Sequence, residues 1–467
     1  MSGLSLKGRW SADDFSRVAR IAWPTIVESI MVMLVTYVDT AMVGQLGKEA
    51  TAAVAINSAP SWMLTGACAA VQVGATVLVA QSIGAGDREG ARRVARQATT
   101  LGMAMGLVFM ILLQSIGGAM PRWLHAEAHI VPVAAQYIRT VSLAYIPYFT
   151  GLVLSGILRG SGDTTTPMKI TMFTNVINVI GNFFLIYPSR TVSLFGMEIN
   201  IWGAGMGVLG AAIPTAVATA LSGVLMFIKL ARGKGEIRLE LHKSYVPQWH
   251  IVKHMLRIGM PAALGRICVN AGHMVFQTMI AGLGTASLSA HHIATNAESL
   301  SYMPADGFGV AATTLVGQAV GAGDKKAARR YGSLNLVMGI TCMTLTGLVL
   351  FFAPQWLMRI FTPDQEVIAL GVPALRVEAL AQPFFAMGIV ASGALSGAGD
   401  TRMPMLIGLA CMWGVRLGVA ALCLYVFGMG LTGAWIGMAT DLTVRGILLT
   451  LRFKSSRWEK IAAVKNL

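Results

Sequence analysis

WPTIVESIMVMLVTYVDTAMVGQLG, residues 23–47, sets the class of fold. A helix crosses the hydrocarbon core of a bilayer with about 20 mostly apolar residues. This stretch supplies them, yet it contains Glu28 and Asp39. Eleven residues are close to three helical turns, so the two acids lie near one face. A carboxylate at membrane depth costs about 2.5–3.5 kcal/mol on insertion scales, and such groups face a bundle interior or a wet cavity and mark ion pathways. Asp39 fits an ion-handling role. Glu28, nearer the cytoplasmic end, fits an interfacial acid or a partner for a neighbouring helix better.

The rest of the chain extends this pattern. Of its 467 residues 55% are hydrophobic and only 12% charged, about half the charged fraction of a soluble domain. Long apolar runs recur without ten-residue alternating segments, which predicts membrane helices and excludes a barrel. Twelve spans are expected, at 16–43, 52–80, 90–117, 130–158, 167–187, 205–230, 250–281, 287–317, 327–353, 368–396, 403–427 and 431–453. The net charge of +15 needs no nucleic-acid partner, because basic loops set membrane orientation. Arg88, Arg92, Arg93 and Arg96, then Arg159 and Lys169, then Arg232 to Lys243, then Lys325 to Arg330, and both termini share one side. The positive-inside rule makes that side cytoplasmic. The expected location is the inner (plasma) membrane, multi-pass, with both termini cytoplasmic. The five cysteines lie apart in apolar segments and read as small core residues, with no disulfide framework and no metal cage.

An internal repeat organises the spans. VAQSIGAGDREGARR at 79–93 returns as VGQAVGAGDKKAARR at 316–330, and SGILRGSGDTTTP at 155–167 returns as SGALSGAGDTRMP at 392–404, both with an offset of 237. Pro24 and Pro261 share that offset. Near the sixth span the offset falls to 223, which leaves 14 extra residues in the 188–204 external loop of the first half. Two parallel six-helix halves follow, the plan of transporters that rock two bundles about a central site. The expected fold is an all-α polytopic membrane protein with twelve transmembrane helices in two pseudo-symmetric six-helix lobes. The boundaries expected are 1–230, a cytoplasmic linker at 231–250, and 251–467. The repeated GAGD segments are not phosphate loops, since no Gly-Lys-Ser/Thr follows. They read as tight turns in which Asp caps the next helix.

VDTAMVGQLG at 38–47, the two GAGD loops, LRGSGDTTTP at 158–167 and AESLSYMPADGFGVAATTLVGQ at 297–318 resemble the multidrug and toxic compound extrusion (MATE) transporters, the AESLSYMP segment being closest to the DinF-like branch. The resemblance covers nearly the whole chain. It implies cation-coupled antiport, by H+ or Na+, of amphipathic and often cationic organic compounds, with no bound cofactor. It places the ion site in the N-terminal lobe, on Asp39, Asn178, Asn182 and Thr215, and a bending point at Pro24. Asn182 stands where several relatives carry an acid. The C-lobe acids of the NorM-like branch have Val269 and Phe385 at their nearest positions here.

The residues add their own indications. Asn175, Asn178 and Asn182 share one helical face, with Asn175 read as interhelical glue. In the second half Arg266, Glu298 and Arg416 read as a structural ion pair, Arg266 or Arg416 with Glu298, or as substrate contacts. Glu28 has the same two readings. His291–His292 reads as an interfacial cap. The functional expectation is a multidrug antiporter, a monomer in the lipid bilayer exporting small organic molecules and driven by H+ in preference to Na+. Na+ remains possible at Asp39. A lipid-linked precursor flippase is one alternative. An intramembrane enzyme is another, and no nucleophile–base or metal cluster with suitable spacing supports it.

Overall fold

The computed structural model describes residues 10–194, 197–233, 237–240, 242–455 and 457–460. The first half contains α1 (Ala12–Gly44), α2 (Lys48–Gly84), α3 (Arg88–Ile116), α4 (Val131–Ser142), α5 (Tyr145–Ser161), α6 (Thr165–Leu185) and α7 (Gly207–Arg232). The second contains α8 (Trp249–Ala281), α9 (Thr285–Gly321), α10 (Lys325–Phe352), α11 (Gln365–Gly397), α12 (Arg402–Val426) and α13 (Gly430–Lys454). Among the described residues nine of these are long and apolar enough to cross a membrane, and α4 with α5, bent by 54°, makes a tenth. The other two expected spans are α8 and α9, of 33 and 37 residues. Arg266, Asn270 and His273 on one, and Glu298 and Asp306 on the other, make them more polar.

Local chemistry fixes the helix ends. Ser11 and Asp14 form a capping box at the start of α1, with bonds of 3.0 and 3.2 Å. The GAGD and GSGD segments turn as the sequence predicts. Gly86, Gly162, Gly323 and Gly399 have φ between 74° and 93°, a region open to glycine and costly for other residues. The aspartate that follows each of them then accepts a backbone N–H at the start of the next helix, Asp87 from Gly90 and Asp324 from Ala327 at 2.7 and 2.8 Å. The insertion in the first half is not helical. Pro188–Leu194 (β1) and Met197–Ala204 (β2) form an antiparallel hairpin, with Arg190 stacked over Phe183 and Tyr187 at 4.5 and 4.2 Å.

One apolar core joins α2, α3, α5 and α7, and another joins α8, α9, α11, α12 and α13. The inter-half connection is not a loose tether. Ile237 and Leu239 are buried in the first core, and Glu240 accepts from Arg92 and Arg96 at 3.3 and 2.9 Å. Those two arginines were read from the sequence as topology signals alone; they also hold this segment against α3.

The halves meet through repeat-related pairs. Gly317 and Ala80 occupy equivalent positions and touch each other, a Cβ on Gly317 lying 2.9 Å from that of Ala80. A Cβ on Gly84 would overlap the Gln318 carbonyl, and one on Gly321 would overlap the Gln81 carbonyl. The Gln81 amide donates to the Gly397 carbonyl at 2.9 Å, and the Gln318 amide to the Gly160 carbonyl at 3.3 Å. Further up, Gly259 abuts the Ala70 carbonyl while Gly307 abuts that of Ala22, again equivalent positions. Small residues let membrane helices approach to backbone contact, so the repeat becomes a two-fold clamp at the ends bearing the basic loops.

This clamp carries a testable consequence. Cysteines replacing Ala80 and Gly317 should cross-link on oxidation. Adding Gly84→Ala should cut the cross-linking rate severalfold and lower the melting temperature. Equal rates in the two backgrounds would show that the carbonyl contact does not govern this closure.

Candidate functional site

Asp39 lies in the outer half of α1, half-buried, and faces α6. The Asn182 amide donates to Asp39 Oδ1 at 2.7 Å and to Asn178 Oδ1 at 3.1 Å. Asn178 in turn meets Thr215 Oγ1 of α7 at 3.2 Å. Turned over, the Asn178 amide reaches both Asp39 oxygens at 2.9 and 3.2 Å and accepts from the Thr215 hydroxyl and backbone N–H, the orientation that satisfies both ends of the amide. Asn178 and Asn182 are 5% and 1% exposed, so these bonds are shielded from water. The structure therefore brings together the four residues that the resemblance nominated. It adds Tyr137 of α4, beside Thr215 and within electrostatic reach of Asp39. Nothing in the sequence singled out Tyr137, since one tyrosine on an amphipathic helix carries no pattern. Asn175 lies on the same face, but among the described residues its buried Nδ2 has no partner, so that nitrogen bridges no helices there.

Pro24 sits inside an uninterrupted α1. Having no N–H, it leaves the Arg20 carbonyl without its helical donor, and Thr164 Oγ1 approaches that carbonyl at 3.5 Å. Its repeat partner Thr401 donates to the Ile258 carbonyl near Pro261 at 2.6 Å. Glu28, one turn beyond Pro24, accepts from Arg159 of α5 at 2.8 Å and from Thr171 of α6 at 3.2 Å.

The second half departs from expectation. Arg416 does not pair with Glu298; its Nε donates to Asp441 at 2.8 Å. Arg416 closes a π-helical turn, Cys411–Arg416, within α12. There it meets Asp441 of α13, which Arg445, four residues on, also grips through both oxygens at 2.6 and 2.7 Å. Bidentate geometry and an aspartate already within one helical turn of Arg445 favour this carboxylate over Glu298. Glu298 is buried on α9 near Gln382. Glu378, fully buried on α11, has no hydrogen-bond partner among the described residues. Arg266 likewise does not bond Glu298 and faces a cavity instead. His291 is no interfacial cap: it is buried, with ring contacts at 5.8 Å to Phe276 and Trp435.

The cavity lies between the halves and holds about 620 Å³, with walls from α1, α2, α5, α8, α9, α11, α12 and α13. Its volume suits a small organic molecule. Among the described residues no group of three or more His, Cys, Asp or Glu is placed to hold a metal ion.

Two six-helix halves clamped by a two-fold, a cavity between them and a half-buried acid in one half define a secondary transporter. The chain matches the MatE family over residues 24–184 and 261–422. It is 32% identical over 446 residues to the probable multidrug resistance protein NorM of Thermotoga maritima, spanning 95% of this chain and 93% of that protein. To the probable multidrug resistance protein NorM of Pseudomonas aeruginosa it is 30% identical, over 94% and 89% of the two chains. The fold superposes on the crystal structure of MATE in complex with MaL6 with a TM-score of 0.88 at 21% identity, covering 96% and 97%. The chain belongs to the MatE family, the MATE transporters. It is a multi-pass membrane transporter of small molecules that uses an ion gradient, and not an enzyme.

Two substitutions test the pairings. Asp441→Asn removes the one carboxylate gripped by both Arg416 and Arg445, and breaking such a buried pair costs about 3–5 kcal/mol. Glu28→Gln should cost less, because the Arg159 side chain keeps 23% of its surface exposed. Melting in detergent should rank the variants wild type, Glu28→Gln, Asp441→Asn from most to least stable; an unaltered melting temperature in Asp441→Asn would contradict the assignment.

Proposed function

We propose that this protein is a proton-coupled multidrug antiporter that exports amphipathic organic compounds. The observation that carries the coupling reading is the Asp39–Asn182–Asn178–Thr215 constellation. Asn182 presents its NH2 to the Asp39 carboxylate, and its carbonyl oxygen is buried without a partner. A bound Na+ would need oxygens converging on the carboxylate. An amide donor instead occupies the lone pairs that the metal would take, and a proton needs only the one acid. The NorM name carried by relatives at 30% and 32% identity supports multidrug export.

Asp39 is then the coupling residue. An ionised carboxylate in a dry lobe is expensive unless donors or a cation compensate it. The amides of Asn182 and Asn178 hold the charged form, and a proton neutralises it. Exchange follows if proton and substrate stabilise different arrangements of the halves. Pro24, one turn to the cytoplasmic side of the Glu28–Arg159 pair and further still from Asp39, is the bending point of α1. The working unit is one chain in the inner membrane with both termini cytoplasmic, its lobes at 1–230 and 251–467 joined by 231–250.

Asp39→Asn should abolish gradient-driven efflux from proteoliposomes while the protein remains folded and inserted. Full coupled transport by this variant would remove Asp39 from the mechanism. For the ion, efflux is measured at fixed pH with and without an inward Na+ gradient while a protonophore clamps the proton gradient. Loss of efflux that Na+ does not restore is expected; robust Na+-driven efflux under the clamp would replace H+ by Na+. Asn182→Asp, which adds a charged ligand, should strengthen Na+ binding.

A further inference from the structure

The charged lining of the central cavity is lopsided: Arg159, Arg266 and Arg445 against one acid, Asp306. The other carboxylates that balance these arginines stand behind them. Glu28 is 9% exposed in its side chain against 23% for Arg159, and Asp441 is fully buried against 19% for Arg445. Asp441 also serves Arg416, so one carboxylate is shared by two guanidinium groups. Glu298 and Glu378, near Arg416, are buried and form no part of the cavity wall. A molecule in the lumen meets guanidinium groups first.

Arg266 stands apart from the other two. It projects from α8 into the lumen, exposed, with no hydrogen bond and no carboxylate within 4.0 Å among the described residues. Asp306 across the lumen interacts with it electrostatically without pairing. A guanidinium carries five N–H donors in a planar fork and no acceptor, and that fork matches the two oxygens of a carboxylate. Beside it Asn270 adds amide groups, and Val269, Phe385, Ile389 and Leu442 supply apolar wall. A cationic substrate placed here would face Arg266 and gain only Asp306.

We infer that the compounds this protein exports are amphipathic organic acids, anionic or zwitterionic, whose carboxylate docks on Arg266 while the apolar body lies against Phe385 and Ile389. In a zwitterion the cationic end falls to Asp306. This rests on the export reading above and narrows its substrate class.

The test uses one rhodamine dye in its free-acid form and as its methyl ester, which differ by the carboxylate. Equilibrium binding to the purified full-length protein is read by fluorescence polarisation, and efflux from proteoliposomes is read separately. The wild type should bind the acid about tenfold more tightly than the ester, equivalent to about 1.4 kcal/mol. Arg266→Gln should erase that preference by weakening acid binding while ester binding stays the same or tightens, and Arg266→Lys should keep part of it, which separates charge recognition from misfolding. An ester bound as tightly as the acid, a preference that survives in Arg266→Gln, or binding of neither form overturns the inference. Displacement of the dye by dihexanoyl-phosphatidylglycerol at equal concentration would make a lipid phosphate the occupant and also overturn it. Acid-selective binding that depends on Arg266, without coupled efflux of either form, would sustain the inference and refute the export reading.

Discussion

A charge inside a membrane protein must find a partner or face water, and most of this structure can be read from how each charge meets that requirement. Glu28 takes Arg159, and Asp441 takes Arg416 and Arg445. Glu28–Arg159 joins α1 to α5 and Asp441–Arg416 joins α12 to α13, while Arg445 grips Asp441 from one turn along α13. Removing one member leaves the other uncompensated in low dielectric, so the pairs fix helix positions more strongly than apolar contacts, which lipid tails can imitate. Other groups meet the requirement differently. Asp39 is met by neutral amides, and Arg266 and Asp306 by the lumen.

The two halves share a backbone plan but not this chemistry. Asp39 falls on Phe276 in the second half, and Arg266 falls on Ser29 in the first. The equivalent of Arg159 is Ser396, and that of Asp306 is Ala69. What the repeat preserves is the glycines and small residues of the clamp, the prolines at 24 and 261, and the turn aspartates. Those positions serve packing and turning, which both halves need equally. The polar residues differ between the halves, since a transporter needs neither its acid nor its cationic wall twice.

That difference explains what the sequence disclosed. Spans, turns and the repeat depend on local composition and spacing, so they were legible from 16–43 onward. The ion site was legible only in part: helical spacing put Asn178 and Asn182 on one face, while their meeting with Asp39 and Thr215 came from the family resemblance. Interhelical partners carry no local signal. Glu298 was matched with Arg416 because both are charged and buried, but a π-helical turn delivers Arg416 to Asp441. Tyr137 and the Glu28–Arg159 pair depend on which helices touch, and hydropathy does not encode that. The β1–β2 hairpin was visible only as an insertion of surplus length.

If Asp39 is the coupling residue proposed above, its signal reaches the cavity through α1, since that helix borders both. Thr25 and Ser29 of α1 line the cavity, Glu28 binds α5 and α6, and Asp39 binds α6 further out. Pro24 has already removed one rung of the hydrogen-bond ladder on the cytoplasmic side of all three. In the scheme proposed, a proton arriving at Asp39 would weaken its hold on the Asn182 amide and free the outer part of α1 while Glu28 still pins the middle. Bending then falls near Pro24, and the cavity wall formed by Thr25 and Ser29 moves with it. Arg266 stands on α8 in the opposite half, so in the proposed scheme the charge that docks the ligand and the acid that takes the proton are separate sites. Protonation would then act on the ligand through the shape of the cavity, against a two-fold clamp of glycines that holds the ends bearing the basic loops together.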